Sequence, residues 1–152
     1  MKLAIITGAS AGIGSATAQA FLNDGFKVFN LARRNCPIAG VTSLHCDLAS
    51  GQSIEAAVDE LERGIAGCTQ IALVHNASQM RKDRADDCDS DALQQVLATN
   101  VVAVNRLNQR LLPLLPRSSS VLYVGSTLAD KAVPGSFSYV VSKHAQLGMM
   151  RA

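Results

Sequence analysis

Tyr139 and Lys143 stand one helical turn apart in the run Ser138-Tyr139-Val140-Val141-Ser142-Lys143. Residues four apart on a helix share a face, so the ammonium is expected beside the phenol. A free tyrosine, with a pKa of about 10, is a poor general base at neutral pH, and a neighbouring positive charge favours its phenolate. The pair therefore predicts proton transfer at Tyr139, modulated by Lys143. The same spacing also arises on exposed helix faces, so the pair gains meaning from its company. Ser126, after an apolar run, can donate a hydrogen bond to a carbonyl oxygen as charge develops there, or can act as an ordinary turn serine or helix cap. Asn100 interrupts an apolar stripe between Val96, Leu97, Val101 and Val104. A buried amide without partners is costly, so it must either bridge backbone groups or hold water or backbone near Lys143.

A second constellation lies near the start of the chain. Thr7-Gly8-Ala9-Ser10-Ala11-Gly12-Ile13-Gly14 places Gly8, Gly12 and Gly14 in a turn between an apolar run and a helical pattern, a variant of the dinucleotide fingerprint. Glycine permits positive φ and close approach of backbone to a pyrophosphate, whose charge a following helix N-terminus attracts. Gly8, Ser10, Gly12, Ile13 and Gly14 are therefore candidate cofactor contacts. Folds of this kind that prefer NAD carry an acid at the end of the second strand for the ribose 2′-hydroxyl. This chain instead reads Leu31-Ala32-Arg33-Arg34. Arg33 and Arg34 suit a 2′-phosphate through charge-assisted bonds, which predicts NADP(H); the alternative is two solvated arginines.

Positioning such groups requires strands that alternate with helices. Strands are expected at Leu3–Ile6, Lys27–Leu31, Val41–Cys46, Ile71–His75 and Val121–Val124. The helix over Gly12–Asp24 carries Ile13, Ala16, Ala20 and Phe21 at helical spacing and stops at Gly25. A second helix buries Ile54, Ala57, Val58, Leu61 and Ile65, with Ser50 as its cap. A long third helix carries Leu93, Val96, Leu97, Val101, Val104, Leu107, Leu111 and Leu115, broken near Pro113 and Pro116. Between Met80 and Asp91 the crowded charges Arg81, Lys82, Asp83, Arg84, Asp86 and Asp87 read as a solvated, mobile loop without chemistry. The sum is an α/β fold, a Rossmann-type doubly wound parallel sheet in three layers, α/β/α, with ligand sites beyond the carboxyl ends of the strands.

Composition supports one domain over residues 1–152, since 48% hydrophobic and 17% charged residues suit strands covered on both faces. A net charge of +2 carries no nucleic-acid footprint. Cys36, Cys46, Cys68 and Cys88 form no CxxC pair and lack a histidine at metal-ligand spacing, so no metal site is expected and the cytosol fits best. A strand beginning at Lys2 leaves no room for a secretory leader, and no apolar run reaches the roughly 20 residues that span a bilayer. Neither a membrane nor a nucleic acid is an expected partner.

Taken in order, the Thr-Gly-x-x-x-Gly-x-Gly turn, Asn100, Ser126 and Tyr139-x-x-x-Lys143 resemble the short-chain dehydrogenase/reductase family in its single-domain form. The resemblance covers essentially the whole chain, its last motif being Lys143. It implies Tyr139 as proton donor or acceptor, Ser126 as carbonyl anchor, and Lys143 as contact to the nicotinamide ribose and modulator of Tyr139. Asn100 would support a proton-relay water. Asp47 and Leu48, in Cys46-Asp47-Leu48, would lie beside the adenine. Asn76, Ala77 and Ser78 would also meet the cofactor, although His75-Asn76-Ala77-Ser78 departs from the family's Asn-Asn-Ala-Gly at both ends, and Ser78 adds a side chain where glycine passes close to it. The implied reaction is reversible hydride transfer between NADP(H) and a small-molecule carbonyl or secondary alcohol, with reduction the expected direction. A non-catalytic NADP(H)-binding regulator on the same fold is the rival, because fold alone does not decide function; sugar-nucleotide epimerisation or dehydration ranks behind both. Family members continue well past the equivalent of Lys143 with further strands, a substrate loop and part of the surface used for homodimers or homotetramers. The sequence is accordingly expected to be a fragment truncated after the catalytic helix begins.

Overall fold

The apolar runs form a five-stranded, wholly parallel sheet in the computed structural model, which describes residues 1–152. Its strands are β1 (Lys2–Thr7), β2 (Lys27–Ala32), β3 (Val41–His45), β4 (Gln70–His75) and β5 (Ser120–Tyr123), in the order β3-β2-β1-β4-β5. Ile5 in the central strand stands opposite Phe29 on one side and Leu73 on the other. Successive strand side chains point to opposite faces, so Leu3, Ile5, Leu31, Ile71 and Leu73 enter one core while Ala4, Ile6, Val28, Ala72 and Val74 enter a second. Helices cover both, which gives the three-layer α/β/α, Rossmann-like arrangement expected. The chain runs outward from β1 to β3, then crosses back to place β4 on the other side of β1. That reversal opens a crevice at the carboxyl ends of β1 and β4.

The larger core packs α2 (Gly51–Ile65) through Ile54, Ala57, Val58, Leu61 and Ile65, as the periodicity required. Ser50 caps it, its Oγ accepting from the Ser53 N–H at 3.3 Å. The smaller core receives α1 (Gly12–Asn23), but not through the expected stripe. Gly14 and Ala18 are the buried positions, Phe21 and Leu22 are half-buried, Ala16 and Ala20 face out, and Ile13 is 66% exposed. The helix sits so close to the turn before it that only small residues fit the contact face.

The long helix expected between Leu93 and Leu115 is interrupted. α3 (Ser90–Leu97) and α4 (Ala103–Leu111) are joined by a five-residue π-helical segment, Ala98–Val102, and α4 ends in a 3₁₀ turn at Leu112–Leu114 that contains Pro113. A π turn holds extra residues per turn and shifts the phase of the stripe. Ala92, Val96, Asn100, Ala103, Val104, Leu107 and Leu111 are consequently buried, whereas Leu93, Leu97 and Val101 are only half-buried. Arg110 of α4 pairs with Glu55, Asp59 and Glu62 of α2 on the surface above the core. A last helix, α5 (Phe137–Arg151), packs on α3 and the π segment. No helix is long and apolar enough to cross a membrane.

Candidate cofactor and catalytic site

The first βα turn is built by contacts with the end of β4. Gly8 has φ +72°, and a Cβ there would meet Ala77 at 3.0 Å. Gly14 has no room at all, because a Cβ would strike the Gly8 carbonyl oxygen and the Asn76 amide. The Asn76 Nδ2 donates to the carbonyls of Thr7 and Gly8 at 3.0 and 3.1 Å, and the Thr7 hydroxyl accepts from the backbone N–H groups of Asn76 and Ala77, both at 3.0 Å. Gly14→Ala is therefore expected to destabilise the protein by about 1 to 3 kcal/mol through overpacking against backbone, read as a lower denaturation midpoint. The N-cap of α1 is Ala11, which offers no side-chain acceptor, and the first turn holds no acid. Its leading N–H groups and the positive end of the helix dipole thus remain available to an anion.

A cavity of about 660 Å³, a size typical of small-molecule sites, opens beside this turn. Of the residues expected at a cofactor, Gly8, Ser10, Arg33, Arg34, Asp47, Leu48, Asn76, Ala77 and Ser78 line it. Gly12, Ile13 and Gly14 do not, Gly14 serving to let α1 approach the turn. Arg33 and Arg34 are exposed and take part in no ion pair, so both guanidinium groups are free. Ser78 is accommodated without positive φ. Asn30 is a residue the sequence reading missed. Fully buried in β2, it accepts from the Ala9 N–H at 2.8 Å and donates to the Arg34 carbonyl and the Ser43 hydroxyl, both at 3.1 Å, tying the glycine turn to the arginine turn. A buried polar side chain in an apolar strand was the only signal for it. Cys46, also in the lining, is buried, and burial followed by the neighbouring Asp47 charge pushes its thiol up to about 11, which makes it unreactive.

Tyr139 and Lys143 share a face of α5, with Nζ 5.5 Å from the centre of the phenol ring. Lys143 is 3% exposed, and burial lowers its pKa. Its Nζ donates to the carbonyl of Val124 at 3.1 Å and to Gln146 Oε1 at 2.8 Å. Ser126, just beyond β5, caps a 3₁₀ turn at Thr127–Ala129 by accepting from the Leu128 N–H at 3.1 Å, which leaves its hydroxyl hydrogen free to donate. Asn100 bridges backbone, as one of its two readings required: Oδ1 accepts from the Gln79 N–H at 2.7 Å, and Nδ2 donates to the Gln79 carbonyl at 2.8 Å and to the Ser142 hydroxyl at 2.9 Å. Gln79 lines the cavity, whereas Asn100, Ser126, Tyr139 and Lys143 do not; Gln79 and Asn100 connect the two halves of the site.

The charged segment before α3 is not the free loop its composition suggested. Asp83 is 8% exposed, and its carboxylate accepts from the Ser138 N–H at 3.0 Å and the Ser138 hydroxyl at 2.5 Å, one residue before Tyr139. Its backbone donates to the Gly135 carbonyl and accepts from the Phe137 N–H. Burial raises the Asp83 carboxyl pKa, but the Ser138 hydrogen bonds outweigh it and hold the group below its ordinary value. A carboxylate at a helix N-terminus satisfies orphan donors and meets the positive end of the dipole, so a segment without chemistry of its own anchors the helix that carries Tyr139 and Lys143.

His75 occupies the first departure from the family's sequence. It is buried under the sheet end, with Nε2 2.8 Å from Asn108 Oδ1, while Asn108 Nδ2 donates to the Tyr123 hydroxyl at 2.7 Å. That network assigns the proton to Nε2 and leaves Nδ1 buried without a partner. Burial lowers the His75 pKa, outweighing the Asn108 contact that raises it. The unfolded chain therefore takes up this proton first, and stability that is complete above about pH 6.5 falls as pH drops toward the folded-state value. His75→Gln is expected to remove up to about 1.4 kcal/mol per pH unit from the slope of unfolding free energy below that point, measured by denaturant titrations at a series of pH values.

The family model described as short chain dehydrogenase matches residues 2–152. Short chain aldehyde dehydrogenase 1 of Euphorbia lathyris is 29% identical over 164 residues, covering 99% of this chain and 56% of that protein. A short chain dehydrogenase from Burkholderia cenocepacia J2315, solved in complex with NADP, is 28% identical and superposes with a TM-score of 0.87 over 97% of this chain and 65% of its own. A 4-hydroxyisoleucine dehydrogenase complexed with NADH shares the fold at 24% identity, with a TM-score of 0.85 over 98% of this chain and 66% of its own. The chain spans little more than half the length of the Euphorbia relative.

Proposed function

The chain belongs to the short chain dehydrogenase family, and from that membership we propose that it is the NADP(H)-binding and proton-transferring part of an oxidoreductase that interconverts a small-molecule carbonyl and its alcohol. The observation that carries this reading is the Lys143 ammonium held 5.5 Å from the Tyr139 ring on one face of α5. That pair is linked through Asn100 and Gln79 to a cavity shaped by the glycine turn.

The residues present fit a dinucleotide. The missing Cβ atoms at Gly8 and Gly14 keep the turn tight, and the uncapped N-terminus of α1 suits a pyrophosphate. The fold hosts NADP in one solved relative and NADH in another, so the choice here rests on Arg33 and Arg34. Two unpaired guanidinium groups and no carboxylate after β2 favour a 2′-phosphate. Asp47 and Leu48 border the same cavity on the side of β3, where the adenine would lie.

A bound nicotinamide supplies or accepts the hydride. In the direction of reduction, the Tyr139 hydroxyl gives its proton to the carbonyl oxygen, and the phenolate left behind is favoured by the Lys143 ammonium. Ser126, whose hydroxyl oxygen accepts from the Leu128 N–H and whose hydroxyl hydrogen is free, would donate to the same oxygen as its charge grows. Because burial lowers the Lys143 pKa, the support that its charge gives to Tyr139 is present at lower pH and lost as pH rises through that value. The family's homo-oligomeric habit and a cytosolic location form part of the same proposal.

Anaerobic mixing of the protein with NADPH and a panel of aldehydes and ketones tests the reading. Loss of the reduced-nicotinamide absorbance supports it, whereas tight NADPH binding without oxidation favours a nucleotide-sensing regulator. Absence of NADPH binding overturns it.

A further inference from the structure

We propose that Gln146 is a positioning residue of the catalytic helix, clamping the Lys143 ammonium to the Asn100 backbone carbonyl and so holding it against Tyr139. The inference rests on the reading of Tyr139 and Lys143 as the proton-transfer pair. Gln146 lies one turn beyond Lys143 and is 5% exposed. Its Nε2 donates to the Asn100 carbonyl at 2.6 Å, and its Oε1 accepts from Lys143 Nζ at 2.8 Å. From the same asparagine a second arm runs through its Nδ2 to the Ser142 hydroxyl at 2.9 Å, which donates to the Tyr139 carbonyl at 2.8 Å. Asn100, wholly buried in the π segment, thus grips α5 at two places, and Gln146 supplies one of them.

The amide is the side chain that this place requires. It carries a donor and an acceptor on one planar group, so it can serve a carbonyl and an ammonium at once. An aliphatic residue would leave both buried groups short of a partner. A carboxylate would lack the donor and would set a negative charge beside the ammonium, offsetting what Lys143 does for Tyr139. A neutral amide holds the cation without cancelling it. Its N–H is also too weakly acidic to exchange along a chain, so the link positions Lys143 rather than passing a proton to it.

The protein contains two tyrosines, Tyr123 and Tyr139, and no tryptophan, so the ultraviolet absorbance of phenolate reports Tyr139 by difference from the Tyr139→Phe variant. Other charged groups on elements packed against α5 are Asp91 on α3, Asp130 and Lys131 after the 3₁₀ turn, all exposed, and Asp83 at Ser138; none is altered in the test. Gln146→Leu is expected to raise the Tyr139 titration midpoint by about one pH unit, and that shift should vanish in a Lys143→Met background. Gln146→Met, which keeps the length but offers the carbonyl no donor and the ammonium no comparable acceptor, and which adds no charge, should raise the midpoint as well; a purely structural role predicts no shift, so this variant decides the matter if the leucine variant does not fold. An unchanged midpoint in a folded Gln146 variant, or a shift that persists without Lys143, overturns the role of Gln146 alone. If Lys143→Met by itself leaves Tyr139 unmoved, the pairing of Tyr139 with Lys143 falls, and this proposal with it.

Discussion

Tyr139→Phe is expected to cut NADPH-dependent carbonyl reduction by about 10² to 10⁴-fold, while NADPH binding stays close to that of the parent. The phenol oxygen is the only part removed, and the ring that packs beside Lys143 is retained. The N-terminal anchor of α5 lies at Ser138 and Asp83, and the interior clamp at Ser142 and Asn100, so neither depends on the Tyr139 hydroxyl. Steady-state turnover with an active carbonyl, paired with a fluorescence titration of NADPH, separates chemistry from binding. Near-parental turnover in the variant would exclude Tyr139 as the proton donor.

Arg33→Ala is expected to weaken NADPH binding by about 1.5 to 3 kcal/mol, on the order of 10- to 100-fold in Kd, with NADH nearly unaffected. The asymmetry follows from what the two cofactors present. The 2′-phosphate offers charged acceptors that pair with a guanidinium, whereas the 2′-hydroxyl of NADH needs an acceptor that this turn lacks. The Arg34 carbonyl is held by Asn30, so removing the Arg33 side chain leaves the backbone of the turn in place. The loss should shrink at high salt, since both arginines are exposed and screened. Equal loss of both cofactors would show that Arg33 does not read the 2′ position.

Four of the strands, the glycine turn, the cap at Ser50 and the shared face of Tyr139 and Lys143 were legible because each is written in neighbouring residues. A continuous apolar run, a glycine needing positive φ and an i, i+4 pair all depend on a few bonds of chain. β5 was legible in position, although its exposed Val121 and Leu122 show that its apolar run is not buried as the run suggested. The face of α1 was misread because small residues, not large ones, marked the close approach at Gly14. The break in the third helix was invisible because no residue type at Ala98–Val102 marks a π turn.

The sequence by itself determined the parallel α/β architecture, the glycine turn between β1 and α1 and the shared face of Tyr139 and Lys143, since these follow from local periodicity and from side-chain types at fixed spacing. Only the tertiary structure decided how the pair is held. Asp83 reaches Ser138 across 55 positions and Gln146 reaches Asn100 across 46, contacts that have no periodic signature. Each replaces water for a buried polar group, and the need for such a partner is general while its identity is set by which segments the sheet brings together. The segment that seemed a solvated loop thus became the anchor of α5. A glutamine with no motif around it became the contact that ties Lys143 to the core.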